Sequence, residues 1–225
     1  MATTITAWSA DLELEIDDLT TTVVEDSIRD ACIRFCEQTH LWTSELTAID
    51  VDADTQDYTL SIPATSTLIG VPDDGVYYKE DGEDDDQYAK LVCISDKITT
   101  RNESHAWKYE EGPRPSEFWV DNIDKDLHLR PIPTEDSDEG LLVTVILKPL
   151  LTATTVPDFL YDDYRREIAS GALANLYKMK HMPWYDPDQF ALHETIFMNA
   201  CGDAKITKLT GATNKQLSFK IPFFV

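Results

Sequence analysis

The spacing of apolar residues changes twice along this chain, and each change restricts what can pack with what. Near the N-terminus Val24, Ile28, Ala31 and Phe35 recur at intervals of three and four, with Cys32 beside them. That is the period of an amphipathic helix, and it predicts one over 22–39. Thr22 with Glu25 three residues later fits a capping box at its start. From 48 to 150 the period falls to two: Ile49, Val51 and Ala53, then Tyr58, Leu60 and Ile62. The segments 67–72, 76–79, 88–95, 116–121, 126–130 and 141–148 also read as short strands. Turn formers divide them, among them Pro72-Asp73-Asp74-Gly75, Asp81-Gly82, Gly112-Pro113 and Glu139-Gly140. After Pro157 the helical period returns. Tyr164, Ile168, Ala172, Leu176 and Met179 form one stripe over 158–180. Phe190, Phe197, Cys201 and Ala204 mark a further helix over 188–204, beyond the break Pro183-Trp184-Tyr185-Asp186-Pro187.

Isolated helices of this length are marginal in water. The order helix, strands, helices therefore predicts an α+β protein. Residues 1–47 and 151–204 are expected to form a helical bundle, and 48–150 an inserted antiparallel β-sandwich or barrel-like domain. Gly171, Ala172, Ala174 and Asn175 give the central helix a small face on which another helix can pack, within the bundle or across a subunit boundary. Leu12, Leu14 and Ile16 alternate with acids and permit either a short strand or an irregular arm.

Charge narrows the function. Asp and Glu total 42 against 19 Lys and Arg, a formal charge of −23. The excess sits in residues 1–47, net −8, and 48–150, net −15, while 151–225 balance. A chain of this sign is poorly suited to capturing nucleic acid through phosphates or to binding an anionic membrane. No window approaches twenty apolar residues, and no basic-then-apolar leader precedes Ile5, so neither a membrane span nor a signal peptide is expected. Cys32, Cys36, Cys93 and Cys201 are then expected to stay reduced in a cytosol.

Searches for chemistry return fragments. His193-Glu194-Thr195-Ile196-Phe197 begins like a zinc-protease helix, but Phe197 stands where the second histidine belongs. Asp50, Asp52 and Asp54 start like a calcium loop, but Thr55 replaces the glycine and Ser61 the closing glutamate. Cys32, Cys36 and His40 lie four apart; on a helix the outer two are about 12 Å apart, too far for one zinc ion. The run Asp81, Gly82, Glu83, Asp84, Asp85, Asp86 reads as a solvated acidic loop. Trp8, Trp42, Trp107, Trp119 and Trp184 lack interleaved bases and read as core or interface residues instead of a base-stacking surface. No Walker loop, Gly-x-Ser-x-Gly or dinucleotide fingerprint is present. The expectation is a non-enzyme with no metal and no cofactor.

Three stretches together resemble the head-to-tail adaptor (connector) proteins of tailed bacteriophages. Asp26 to Trp42, containing Phe35-Cys36-Glu37-Gln38-Thr39, looks like the family's first helix. Tyr58-Thr59-Leu60-Ser61-Ile62-Pro63 looks like the strand that opens its inserted β region. Pro157 to Trp184, with Ala169-Ser170-Gly171-Ala172-Leu173-Ala174-Asn175-Leu176-Tyr177, looks like its central helix and the following break. The resemblance implies a structural virion protein at the neck, made in the host cytoplasm. It implies a homo-oligomeric ring, a dodecamer, beneath the portal protein, with tail or nozzle proteins below and DNA passing through as ungripped cargo. Acids such as Asp81, Glu83, Asp84, Asp85 and Asp86 are expected to line the DNA path or face solvent, unpaired with bases.

The C-terminal segment completes the reading. Residues 205–225 are expected to be an extended arm. In it Leu217, Phe219, Ile221 and Phe223 alternate and fall on one face, followed by Phe224 and Val225. They are the expected partner-binding residues, docking on a neighbour or the portal; the competing reading folds the tail back on its own helices. Rival functions are another neck or tail-completion protein, a cytosolic enzyme with a dispersed site, and an acidic DNA mimic.

Overall fold

The computed structural model describes residues 2–16, 19–82, 84, 87–94, 109–121 and 124–210. The fold is mixed α+β, with several sheets, five α-helices and one 3-10 turn among the described residues. It divides into two compact units, one built from the chain up to Leu41 and from Pro157 onward, the other from Trp42–Val156.

In the first unit a 3-10 turn, Ile5–Trp8, runs into helix α1, Ser9–Glu13. The stretch left open between strand and arm is therefore partly helical. Counted from Ile5, the buried residues Ile5, Trp8, Leu12 and Ile16 recur every three or four positions, and Leu14 is left 85% exposed. Trp8 is fully buried, donates its indole N–H to the carbonyl of Arg165 and meets Tyr161 edge-on. Arg165 in turn forks onto both carboxylate oxygens of Asp11 at 2.8 Å.

Helix α2 spans Thr21–Thr39 and stops at His40, whose φ of 55° places it in the left-handed region. Its N-cap is Thr20, without a side-chain capping bond, so the expected Thr22–Glu25 box does not form. With Thr20 as cap the third helical residue is Val23, which has no carboxylate to reach back.

The single helix expected over 158–180 is two helices, α3 at Asp158–Asp162 and α4 at Arg165–Tyr177. Between them Tyr164 has φ −128°, and its ring packs on Phe35 with centroids 4.7 Å apart. Asp162 and Asp163 supply a reason: acids oppose the dipole at the end of α3 and suit the start of α4. Nor is α4 buried along one stripe. Every residue from Gly171 to Tyr177 is buried, because α2 and α5 both lie against α4. Helix α5 spans Pro187–Thr210. Asp186 caps it, accepting from the N–H groups of Asp188 at 2.9 Å and Gln189 at 3.1 Å, with Pro187 in the first turn. The helix passes 204 and takes in Lys205 and Lys208, so 205–210 are helical instead of extended. Lys208 Nζ donates to the His40 carbonyl at the end of α2.

The second unit is organised by one long strand, Ser137–Pro149. It pairs antiparallel with Thr43–Glu45, Ile49–Val51, Ser66–Gly70 and Val76–Tyr78. The register sets Leu141 opposite Tyr78 and Val143 opposite Val76. Because Ser44 pairs with Val145, sheet pairing starts soon after Trp42. A four-stranded sheet runs in the order Asp57–Tyr58, Leu127–Arg130, Glu117–Val120, Val92–Cys93. Its last pair is parallel, as is the small pair Glu111–Gly112 with Ile132–Pro133, so the β region is not wholly antiparallel. The run expected over 88–95 is cut at Leu91. Ala89–Lys90 pairs with Val76–Tyr78, while Val92–Cys93 joins Glu117–Val120. One apolar cluster takes Leu141, Val143, Val145 and Leu147 from the long strand and Phe118, Leu127 and Leu129 from the other sheet.

Candidate functional site

Three of the four cysteines are placed for packing. Cys32, Cys36 and Cys201 are buried. Burial first, then the neighbouring Cys36, pushes the Cys32 thiol up. Burial pushes Cys36 up to about 12 and Cys201 to about 11. Thiols held this high are neither thiolate nucleophiles nor ready metal ligands at neutral pH. His40 is exposed at the end of α2 while Cys32 and Cys36 face inward. Among the described residues no three His, Cys, Asp or Glu side chains are grouped to hold a metal, and no helix is long and apolar enough to cross a membrane.

The small face of α4 is the centre of the helical unit. A Cβ on Gly171 would lie 2.5 and 2.7 Å from two carbons of the Phe197 ring, so glycine is what lets α5 close on α4 here. Ala172 and Ala174 are fully buried, and Asn175 is 4% exposed. Ala172→Trp is expected to overpack this site by about 1–3 kcal/mol, read as a lowered urea midpoint. An unchanged midpoint would contradict the packing.

Asn175 also belongs to a polar cluster that the sequence did not advertise. Its Oδ1 accepts from Arg34 Nη1 at 3.2 Å and from Lys178 Nζ at 2.8 Å, and Nδ2 donates to the Ser27 carbonyl at 3.5 Å. Arg34 Nη2 meets Glu194 Oε1 at 2.5 Å, and its guanidinium lies 4.9 Å from the Phe197 ring centroid. These partners come from α2, α4 and α5, at separations of more than a hundred residues apart from Lys178, so no local spacing reveals them. Glu194 Oε2 is buried without a partner. Arg34→Ala would strip the charge that faces it, and about 1–3 kcal/mol should be lost. Glu194→Gln in the same background should recover part of that, checked by a double-mutant cycle.

His193, the first residue of the protease-like fragment, stacks on Tyr177 with centroids 5.6 Å apart. Burial lowers its pKa against the opposing pull of Glu15. His40, though largely exposed, is lowered too, by partial desolvation of its ring and then by Lys208 and Lys205. A histidine whose folded pKa lies below its unfolded value of about 6.5 takes up protons more readily when unfolded. Stability should therefore fall as pH drops below about 6.5, and His193→Gln should flatten that slope in denaturation midpoints.

Helix α5 carries apolar residues on both sides. Phe197, Cys201 and Ala204 face the core. Leu192, Ile196, Met198, Ile206 and Leu209 are between 41% and 86% exposed. A Cβ on Gly202 would meet nothing within 4 Å. A helix apolar on both faces is unusual at a free surface.

Of the acidic-loop residues, Asp81 and Asp84 are exposed, and Glu83, Asp85 and Asp86 lie outside the described residues. Glu80 in the same stretch is 3.3 Å from Arg114, an exposed pair within the chain. Glu135, Asp136, Asp138 and Glu139 are exposed, Asp136 accepting from the Ala53 N–H at 2.7 Å. The tail residues Leu217, Phe219, Ile221, Phe223, Phe224 and Val225 lie outside the described residues.

Residues 2–216 match the family described as SU10 adaptor protein. No curated protein matches the chain.

Proposed function

Because this chain belongs to the SU10 adaptor protein family, we propose that it is a structural virion protein, the head-to-tail adaptor that forms a ring beneath the portal and links capsid to tail. The observation that carries this is the extent of the family match, 2–216 of 225 residues, which runs through both structural units. The proposed architecture is a helical bundle carrying a sandwich- or barrel-like β insertion.

Physical features support the reading. A ring built from one kind of subunit uses a head-to-tail contact that closes on itself. The outward residues of α5 offer apolar area for such a contact, and twelve copies is the proposed number. Each copy carries −23, with a net −15 in residues 48–150. A bore lined by basic residues would grip DNA through many phosphates. Exposed acids such as Asp81 and Asp84, placed on the DNA path, would repel the phosphates and let the duplex move. The tail 217–225 docks on the portal or on a neighbouring subunit by strand addition or pocket filling.

The decisive experiment is a virion map, with a native mass of the isolated neck. Density for this chain in a closed ring between portal and tail is the expected result. Its location only in the distal tail, or a particle without it that still joins heads to tails, would overturn the proposal.

A further inference from the structure

Helix α5 carries an uncharged stripe on the side away from the core. Ala191, Thr195, Met198, Gly202, Ile206 and Leu209 follow at steps of four, three, four, four and three, so they share one face over about 27 Å of helix. All six are exposed. The Thr195 hydroxyl donates to the Ala191 carbonyl at 2.7 Å, so it asks for no outside acceptor. Gly202 stands in the middle, and a Cβ there would meet nothing within 4 Å among the described residues. A glycine inside a helix weakens it relative to alanine, and no contact among the described residues requires one here. Beyond Thr210, where α5 ends, fifteen residues, 211–225, lie outside the described residues. We propose that in the free subunit residues 217–225 lie antiparallel along this stripe of the same chain, with the Phe219 ring over Gly202.

Pattern, length and charge fit this occupant. Leu217, Phe219, Ile221 and Phe223 alternate, so an extended chain turns all four to one side, as a single stripe needs. From 217 to 225 an extended chain covers about 26 Å, close to the length of the stripe. Residues 211–216 carry no large apolar side chain and are enough for a reversal of direction. Gly211 directly follows the helix, where glycine favours the left-handed turn that ends one. Reversed there, the chain brings Phe219 alongside Gly202 and Phe223 near Thr195. A ring at Gly202 fills the space a side chain would have taken and meets the Met198 sulfur. Pro222 is no obstacle, because a helix face offers no backbone ladder for its missing N–H. Residues 211–225 hold Lys215 and Lys220 and no Asp or Glu, on a chain of net −23, so attraction favours the fold-back. Six linking residues hold the segment at an effective concentration of about millimolar, which a second copy in dilute solution does not reach. The covering itself stands without the ring. Its consequence rests on the ring proposal: the tail leaves α5 to dock on the portal or a neighbour, and its release opens the same stripe for subunit contact.

The test is trypsin cleavage after Lys220 in the full chain, read by mass spectrometry of the released segment 221–225. A synthetic peptide of residues 211–225 sets the unprotected rate. The full chain should be cut about ten-fold more slowly, since cleavage follows the population of the released segment. Gly202→Gln suits a helix and adds no charge, yet places a polar side chain under Phe219. It should speed cleavage of the full chain by about three- to ten-fold. Dilution of the full chain by about ten-fold should leave the protection unchanged, because the contact lies within one chain. With labelled methionine methyls, Phe219→Leu with Phe223→Leu should move the Met198 resonance, which Met198→Leu assigns. A tail cut as fast as the peptide, protection that Gly202→Gln leaves intact, or a Met198 resonance unmoved by the Phe changes would overturn the proposal. So would protection lost on dilution, which would place the segment on a second copy. A protected tail in a chain absent from the neck would reject the ring reading alone; an unprotected tail in a chain found there would reject the covering alone.

Discussion

Phe197→Ala should lower the unfolding free energy by about 3–5 kcal/mol, the range for removing a buried aromatic ring. Phe197 is fully buried, and its ring, carried by α5, meets α4 and α2. It covers Gly171 on α4, approaches Phe35 on α2 at 6.3 Å between centroids, and lies under Arg34. The complementary change is Gly171→Ala, whose methyl would start 2.5 Å from a Phe197 carbon; this should cost about 1–3 kcal/mol. In the double variant the alanine methyl at 171 occupies space the ring has left. The two effects should therefore add to less than their sum. Urea unfolding of the four proteins measures this. Strict additivity, or a loss below about 1 kcal/mol for Phe197→Ala, would mean that α5 does not close on α4 through this contact.

Deletion of 217–225 is expected to leave the subunit folded and to abolish its attachment to portal-bearing heads. Burying Leu217, Phe219, Ile221 and Phe223 on a partner is worth roughly 6–12 kcal/mol gross, before ordering and association costs. Pro222 removes one backbone donor, which suits an edge strand better than a central one. Pull-down on purified heads, with thermal unfolding of the truncated chain alongside, separates the outcomes. Normal attachment, or a truncated chain that no longer folds, would show that the tail is not a docking arm.

Some of this was legible because it is local. Apolar spacing placed α2 within a residue of its observed span, since its buried residues Val24, Ile28, Ala31, Cys32 and Phe35 lie within one segment. Alternation likewise located most strands of 48–150, because a half-buried strand writes its pattern every second residue. For the candidate sites, the small residues of α4 stood out in the sequence, while the joining of Arg34 to Asn175 and Glu194 did not. Those groups join segments far apart in the chain, and nothing in either segment records the other.

The sequence by itself determined the helical character of 22–39 and the strand-rich character of 48–150, where the acid is concentrated, and which face of α4 is small. Tertiary structure alone decided the rest. The stretch around Leu12 resolved as partly helical only through the burial of Ile5 and Trp8. Leu91 became a junction because its two flanks found partners in different sheets. The helix expected over 158–180 broke at Tyr164, whose ring packs on Phe35 of a helix more than a hundred residues away. The Gly171–Tyr177 part of α4 is buried on all sides because two other helices cover it. In each case periodicity reports only whether a residue wants to be buried; which surface buries it is fixed by contacts between distant segments, which no local pattern encodes.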